Sequence, residues 1–392
     1  MVLEGFRVVE LGVWVAGPSA GGLLADWGAD VIKVESPAGD PMRRLFAVLA
    51  GHGQTESPPF DLDNRGKRSV VLDLGTEEGR ADARRLVATA DVFLTNLRPD
   101  AVDRLGLGPD ELLAANPRLV YASVTGYGRE GPDAHRAGYD VGAFWARTGI
   151  ARSLVPEDQP PIDIRAGMGD HVTGLTITSG ILAALLQRER TGTGQLVETS
   201  LLRTGIYCVG WDLGIRLRFG KLAPTQPRTE MMNPMVNCYR AADGGWFWLL
   251  GVESDRLWPK LVAAIERPDL GADERFATAR ARRHHPAECI AALDDVFARR
   301  TRDQWTERFD RHDVWWAPAH TAADVLEDPQ AIAAGAFVDV PGGASGPAHR
   351  GVNTPVTFSA DAADRVPGVV PGLGEHTDEV RRELRRDGDD LR

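Results

Sequence analysis

RVVELGVWVAGPSAGGLLADWGADVIKVE, residues 7–35, has the pattern of a strand, a helix and a second strand. RVVEL (7–11) and DVIKVE (30–35) are short β-branched runs, and a glycine-punctuated helical segment lies between them at about 18–27. Apolar runs without strict alternation belong to strands covered on both faces, and an interposed helix implies a parallel crossover. The pattern continues outward through SVVLDL (69–74), a helical stretch at about 77–90, DVFLTNL (91–97) and LVYASVTGYG (119–128). The expectation is an α/β fold, a doubly wound parallel-sheet large domain.

HVTGLTITSGILAALLQRER (171–190) is apolar around most of its circumference, turns charged, and stops at Thr191-Gly192-Thr193-Gly194. That describes a buried helix with a glycine stop, and Gly174, Ser179, Gly180, Ala183 and Ala184 would let another backbone approach closely. LVETSL (196–201) then returns as a strand. From about 222 the texture changes. CYRAADGGWFWLLG (238–251) reads as a hairpin turning at Asp243-Gly244-Gly245, followed by helical stretches at 254–265, 286–300 and 302–312. The expected division is a large domain begun by 1–221, a smaller α/β domain at 222–330, and 331–392 as a linker and return to the large domain.

With 392 residues, 43% hydrophobic and 26% charged, the chain has ordinary globular usage. A net charge of -11 sets a repelling average field against nucleic acid and anionic membranes. Cys208, Cys238 and Cys289 give neither a disulfide framework nor a metal knuckle, and the nine histidines have no metal spacing, so a reducing compartment and no metal site are expected. Glu4, Arg7 and Glu10 interrupt the N-terminal stretch, and no run approaches ~20 apolar residues, so the expected location is cytoplasmic. Lys33, Lys67, Lys221 and Lys260 are the only lysines, which makes any phosphate site mostly arginine.

Three motifs carry candidate chemistry. Gly12-Val13-Trp14-Val15-Ala16-Gly17-Pro18 with Glu35 has the wrong spacing for a dinucleotide fingerprint and reads better as a plain strand-to-helix turn. The cluster Asn64-Arg65-Gly66-Lys67-Arg68, with Arg43, Arg44, Arg98 and Arg104, is either a phosphate grip or a solvated patch. Asp170, in Gly169-Asp170, is an N-cap of the buried helix by local pattern. Its functional reading is a carboxylate nucleophile, already ionised at a reference pKa of ~3.9 and favoured by the helix N-terminus.

In order and spacing, LEGFRVVELG…AGP (3–18), LLADWGADVIKVESPAGDPMR (23–43), NRGKRSVVLDL (64–74), ADVFLTNLRPDAVDRLGL (90–107), NPRLVYASVTGYGREGP (116–132), GD…GILAALLQRERTGTGQLVETSL (169–201) and GLGEHTDEV (372–380) resemble the family III CoA-transferases. That superfamily contains formyl-CoA transferase, carnitine CoA-transferase and α-methylacyl-CoA racemase. The resemblance implies that Asp170 attacks a donor thioester to form a mixed anhydride, that the released CoA thiolate converts it to an aspartyl-CoA thioester, and that an acceptor carboxylate reverses the sequence. It further implies that Val15, Ala16, Arg43, Leu72, Gly75, Asn96, Leu97, Arg98 and Arg104 line the CoA site, with Tyr139 and Asp140 near the reacting carbonyl. Coenzyme A enters as a substrate thioester, with no resident cofactor. The partners implied are an acyl-CoA, a small carboxylic acid and a second copy of the chain in an interlocked dimer.

Two departures bear on the activity. Where the racemase branch has Gly-His-Asp, this chain has Gly138-Tyr139-Asp140, so transfer is favoured over racemisation, with His135 four residues upstream as the remaining basic candidate. Val15 stands where the oxalate-using branch has Gln, and no glycine run occurs around 222–250, which argues against oxalate. A catalytically idle CoA-binding homologue is the reading outside enzymes. Trp246, Phe247, Trp248, Trp315 and Trp316 are either an apolar acyl pocket or core.

Overall fold

The computed structural model describes residues 1–49, 56–359 and 366–389. It divides into two compact units, one of residues 1–151, 162–222 and 334–392, the other of 152–161 and 223–333.

The first unit is built on β1 (Arg7–Leu11), α1 (Ala16–Asp26), β2 (Asp30–Glu35), α2 (Pro58–Asn64), β3 (Arg68–Val71), α3 (Glu77–Ala88), β4 (Val92–Thr95), β5 (Val120–Thr125), α4 (Met168–Thr191) and β6 (Gln195–Ser200). All six strands run parallel in the order β3-β2-β1-β4-β5-β6. The unbroken apolar runs follow from burial on both faces. Val8, Val31, Val92 and Val120 face α1 and α4, whereas the next residues, Val9, Ile32, Phe93 and Tyr121, face α3 and the other side. Gly174 fits this layer tightly, because a Cβ there would lie 2.1 Å from the Ser19 Oγ on α1. α4 stops as its sequence predicts, on a left-handed Gly192 at φ 74°.

Two further helices, α5 (Leu201–Cys208) and α6 (Gly210–Phe219), follow β6 where sequence patterning marked none. The C-terminal return lies along β3, which would otherwise be an open edge. The His376 N–H donates to the Ser69 carbonyl at 2.9 Å, and the Val71 N–H to Thr377 Oγ1 at 3.0 Å.

In the second unit, β7 (Val236–Arg240), β8 (Trp246–Leu250) and β9 (Trp316–Ala319) form an antiparallel sheet. Phe247 and Leu249 enter its core with helices at Ser254–Ile265, Pro286–Phe297 and Arg302–Arg311. The tryptophans therefore split by strand alternation. Trp316 packs on the core, while Trp246, Trp248 and Trp315 stay partly exposed. No helix among the described residues is long and apolar enough to cross a membrane.

A buried charge cluster ties the carboxyl end of the sheet together. Glu10 accepts from Lys33 Nζ at 2.9 Å and Lys67 Nζ at 2.6 Å, all three side chains being fully buried. Lys33 also meets Asp40 at 2.9 Å and the Gly12 carbonyl at 3.0 Å, and Lys67 reaches the Pro18 carbonyl at 2.9 Å and Asn64 Oδ1 at 3.0 Å. Burial alone would strip Lys33 of its proton, but the Glu10, Asp40 and Glu35 carboxylates hold it charged. Burial prevails at Lys67 and pulls it down to about 8.

The basic cluster at 64–68 is thus neither a solvated patch nor a phosphate grip. Arg65 clasps Asp26 at 2.6 Å, and Arg68 binds Asp30, Glu379 and Glu383. Glu35, the candidate ribose acid of a dinucleotide site, is held by Arg43 at 2.7 Å and by the Ser69 hydroxyl at 2.6 Å.

Glu10→Gln leaves two fully buried ammonium groups facing a neutral amide. It should cost about 3–5 kcal/mol of unfolding free energy. Urea denaturation checks this, and a loss below ~1 kcal/mol would show that the cluster is energetically slack.

Candidate active site

The chain leaves β1 toward β2 and β3, then returns to β4 on the other side of β1. At such a reversal the loops after the strands diverge and leave a crevice outside their carboxyl ends. Asn96, just past β4, ties the loops after β1 and β4 together, accepting from the Val13 N–H at 3.0 Å and donating to the Val13 carbonyl at 2.7 Å. Gly12 and Gly17 are glycine for this reason, since a Cβ on either would come within 3.0 Å of the Asn96 side chain. Trp14 takes a left-handed φ of 65°, its N–H donating to Asp40 Oδ1, and its ring meets Tyr139 edge-on at 6.1 Å.

Most residues that the resemblance assigns to the CoA site stand at this end of the sheet. Val15 is the N-cap residue of α1 and Ala16 its first residue. Leu72 is buried just beyond β3, Gly75 sits in the exposed turn after it, and Leu97 packs its side chain into the core beside Asn96. Arg98 and Arg104 bracket the short helix Pro99–Arg104. Both are exposed, and their guanidinium groups meet no partner among the described residues. Arg43 differs, because Glu35, the Pro371 carbonyl at 3.0 Å and the Phe60 ring occupy its guanidinium.

Asp170 lies in the first turn of α4 and does not cap it. The N-cap is Gly167, at φ 87°, a left-handed conformation that glycine adopts without strain. The Gly167 N–H donates to Asp140 Oδ2 at 2.9 Å, and Asp140 begins a π-helical stretch, Asp140–Ala146. The Gly169 backbone sits against the Phe144 ring, where a Cβ would be 2.6 Å away. Asp170 is half-buried, and its carboxylate makes no hydrogen bond among the described residues. Burial pushes it up to about 7, the Asp140 carboxylate adding to the rise and His171 opposing it. The expectation of a fully ionised aspartate is corrected accordingly: the helix N-terminus is outweighed by desolvation and a like charge.

Two residues beside Asp170 escaped sequence reasoning. His171 Nε2 lies 3.0 Å from Oδ1 of Asp63, a buried residue on α2, and Asp63 Oδ2 has no partner among the described residues. Adjacency to Asp170 on a helix was the one available signal for His171. Nothing in the local pattern marks Asp63. His135 pairs with Asp100 at the surface instead, at 2.9 Å.

The CoA-transferase family III model matches residues 3–377. The chain is 31% identical over 385 residues to the (R)-2-hydroxy-4-methylpentanoate CoA-transferase of Clostridioides difficile, covering 98% of this chain and 96% of that one. It is 35% identical over 341 residues to the cinnamoyl-CoA:phenyllactate CoA-transferase of Clostridium sporogenes, covering 85% and 81%. A crystal structure of a CAIB/BAIF family protein from Brucella suis matches with a TM-score of 0.85 at 36% identity, covering 97% and 99%.

Gly169→Ala forces its new methyl into Phe144 and must move the start of α4, Asp170 included. A shift near 1 Å at a reacting group is worth roughly 100-fold, so turnover should fall at least tenfold while circular dichroism stays native. Wild-type turnover in this variant would show that the close packing does not position the carboxylate.

Proposed function

Because this chain belongs to CoA-transferase family III, we propose that it moves CoA from an acyl-CoA to a carboxylic acid through an aspartyl-CoA thioester on Asp170. The observation that carries this reading is the Asp170 carboxylate itself: half-buried, in the first turn of α4, with no hydrogen bond to occupy it among the described residues. As the carboxylate attacks the thioester carbonyl, the C–S bond breaks and CoA leaves as thiolate. The thiolate then attacks the aspartyl carbonyl of the mixed anhydride, releasing the donor acid. An acceptor carboxylate runs the same two steps in reverse. N–H groups at the start of α4 favour the negative charge that develops on the carbonyl oxygen.

Exposed and unpartnered, Arg98 and Arg104 suit the CoA phosphates, whereas Arg43 serves to hold Glu35. The racemase alternative has less support, since His135 is paired with Asp100 and His171 neighbours Asp170 on one helix turn rather than opposing it. A homodimer is part of the proposal. α6 buries none of its side chains, and Tyr207, Trp211, Leu217 and Phe219 are 87%, 84%, 87% and 71% exposed, an apolar surface that a second copy would cover. The free thiols of Cys208, Cys238 and Cys289 suit a reducing cytoplasmic setting.

Labelled-CoA exchange over a panel of thioesters and acids, with succinyl-, cinnamoyl- and butyryl-CoA among the donors, tests the reading. Asp170→Ala should abolish exchange while CoA binding persists, and substantial residual exchange would remove Asp170 from the chemistry. In the wild type, protonation below about pH 7 removes the nucleophile, so kcat/KM should fall tenfold per pH unit on the acid side. A profile flat down to pH 5 would contradict the raised carboxyl. Arg98→Ala and Arg104→Ala should each raise the acyl-CoA KM roughly tenfold with little change in kcat, because contacts remote from the reacting carbonyl bind ground and transition states alike. Unchanged KM values would return both to the solvated surface.

A further inference from the structure

His171 is bound too specifically for a surface histidine. Nε2 lies 3.0 Å from Asp63 Oδ1, and Asp63 is buried with its other oxygen unpartnered among the described residues. A buried carboxylate with one oxygen on an imidazole nitrogen fixes the ring and favours its charged form. The next residue back along α4 is Asp170. Resting on the reading of Asp170 as nucleophile, we propose that His171, held by Asp63, is a positioning residue: its imidazolium is the counter-ion that keeps Asp170 available as a carboxylate.

The charges around Asp170 give such a counter-ion something to oppose. Asp140, from the π-helical stretch, and Asp63, from α2, both disfavour a charge on Asp170, and His171 is the cation that opposes them. Lys67 lies behind Asp63, where Glu10 partly cancels it. The His171 ring is itself pulled in two directions, burial against the charge and the Asp63 and Asp170 carboxylates for it, with a net rise. Attraction between two titrating neighbours is reciprocal, so each must shift the other's titration equally.

His171→Gln keeps a donor for Asp63 but removes the charge. It should move the acid limb of kcat/KM upward by about one pH unit, an approximately tenfold loss on that limb, with kcat recovering as the pH rises and the acyl-CoA KM near wild type. The reciprocal measurement needs no turnover. In Asp170→Asn, the His171 ring titration, followed by NMR of histidine labelled at Cε1, should move downward by the same amount. Should His171→Gln fail to fold, the Asp170→Asn titration decides alone. A pH profile superimposable on wild type, or an unmoved His171 titration, overturns the proposal. Failure of the underlying reading looks different: Asp170→Asn would then still exchange labelled CoA.

Discussion

Glu10 sits fully buried between two ammonium groups, and much of the first unit is arranged to satisfy that arrangement. Lys33 comes from the adjacent strand, and Lys67 from the turn before β3. Their further donors reach the Gly12 and Pro18 carbonyls on either side of the turn between β1 and α1. The loop after β1, the start of α1 and the end of α2 are thereby fixed to one point. Gly21 shows how tight this is, since a Cβ there would sit 1.9 Å from a Glu10 oxygen.

From that anchor the site follows by packing. α1 packs closely on Glu10 at Gly21 and on Asn96 at Gly17, and α4 lies on α1 through Gly174 against Ser19. The first turn of α4 is placed by the left-handed Gly167, the Asp140 carboxylate and the Phe144 ring. Asp170 therefore stands on a helix held from several sides. Its weakened acidity is the electrostatic consequence of a half-buried position beside another carboxylate.

The sheet was legible because burial on both faces writes itself as unbroken apolar runs, and RVVEL, DVIKVE and DVFLTNL all became strands. The end of α4 was legible because a left-handed glycine stop has a sequence signature. α6 was not, since its apolar side chains are spread around the helix and none is buried, and the eight residues of α5 make only about two turns. Arg65, Lys67 and Arg68 misled in a different way. A run of cations looks the same on paper whether it faces solvent, phosphate or carboxylates on distant elements, and here it faces Asp26, Glu10 and Asp30. Asp170 was found through the resemblance of the whole chain; local pattern favoured an N-cap, a role the backbone gives to Gly167. Asp63 and His171 meet only through the fold, 108 residues apart in sequence.

In the proposed reaction the Asp170 carboxyl carries CoA covalently during turnover. Brief incubation with the fastest donor of the panel, without acceptor acid, followed by acid quench, proteolysis and mass spectrometry, tests it directly. The expected result is CoA attached to the peptide containing Asp170 through a bond that hydroxylamine cleaves. A CoA adduct on another residue, or full exchange activity with no adduct on that peptide under any quench, would contradict it.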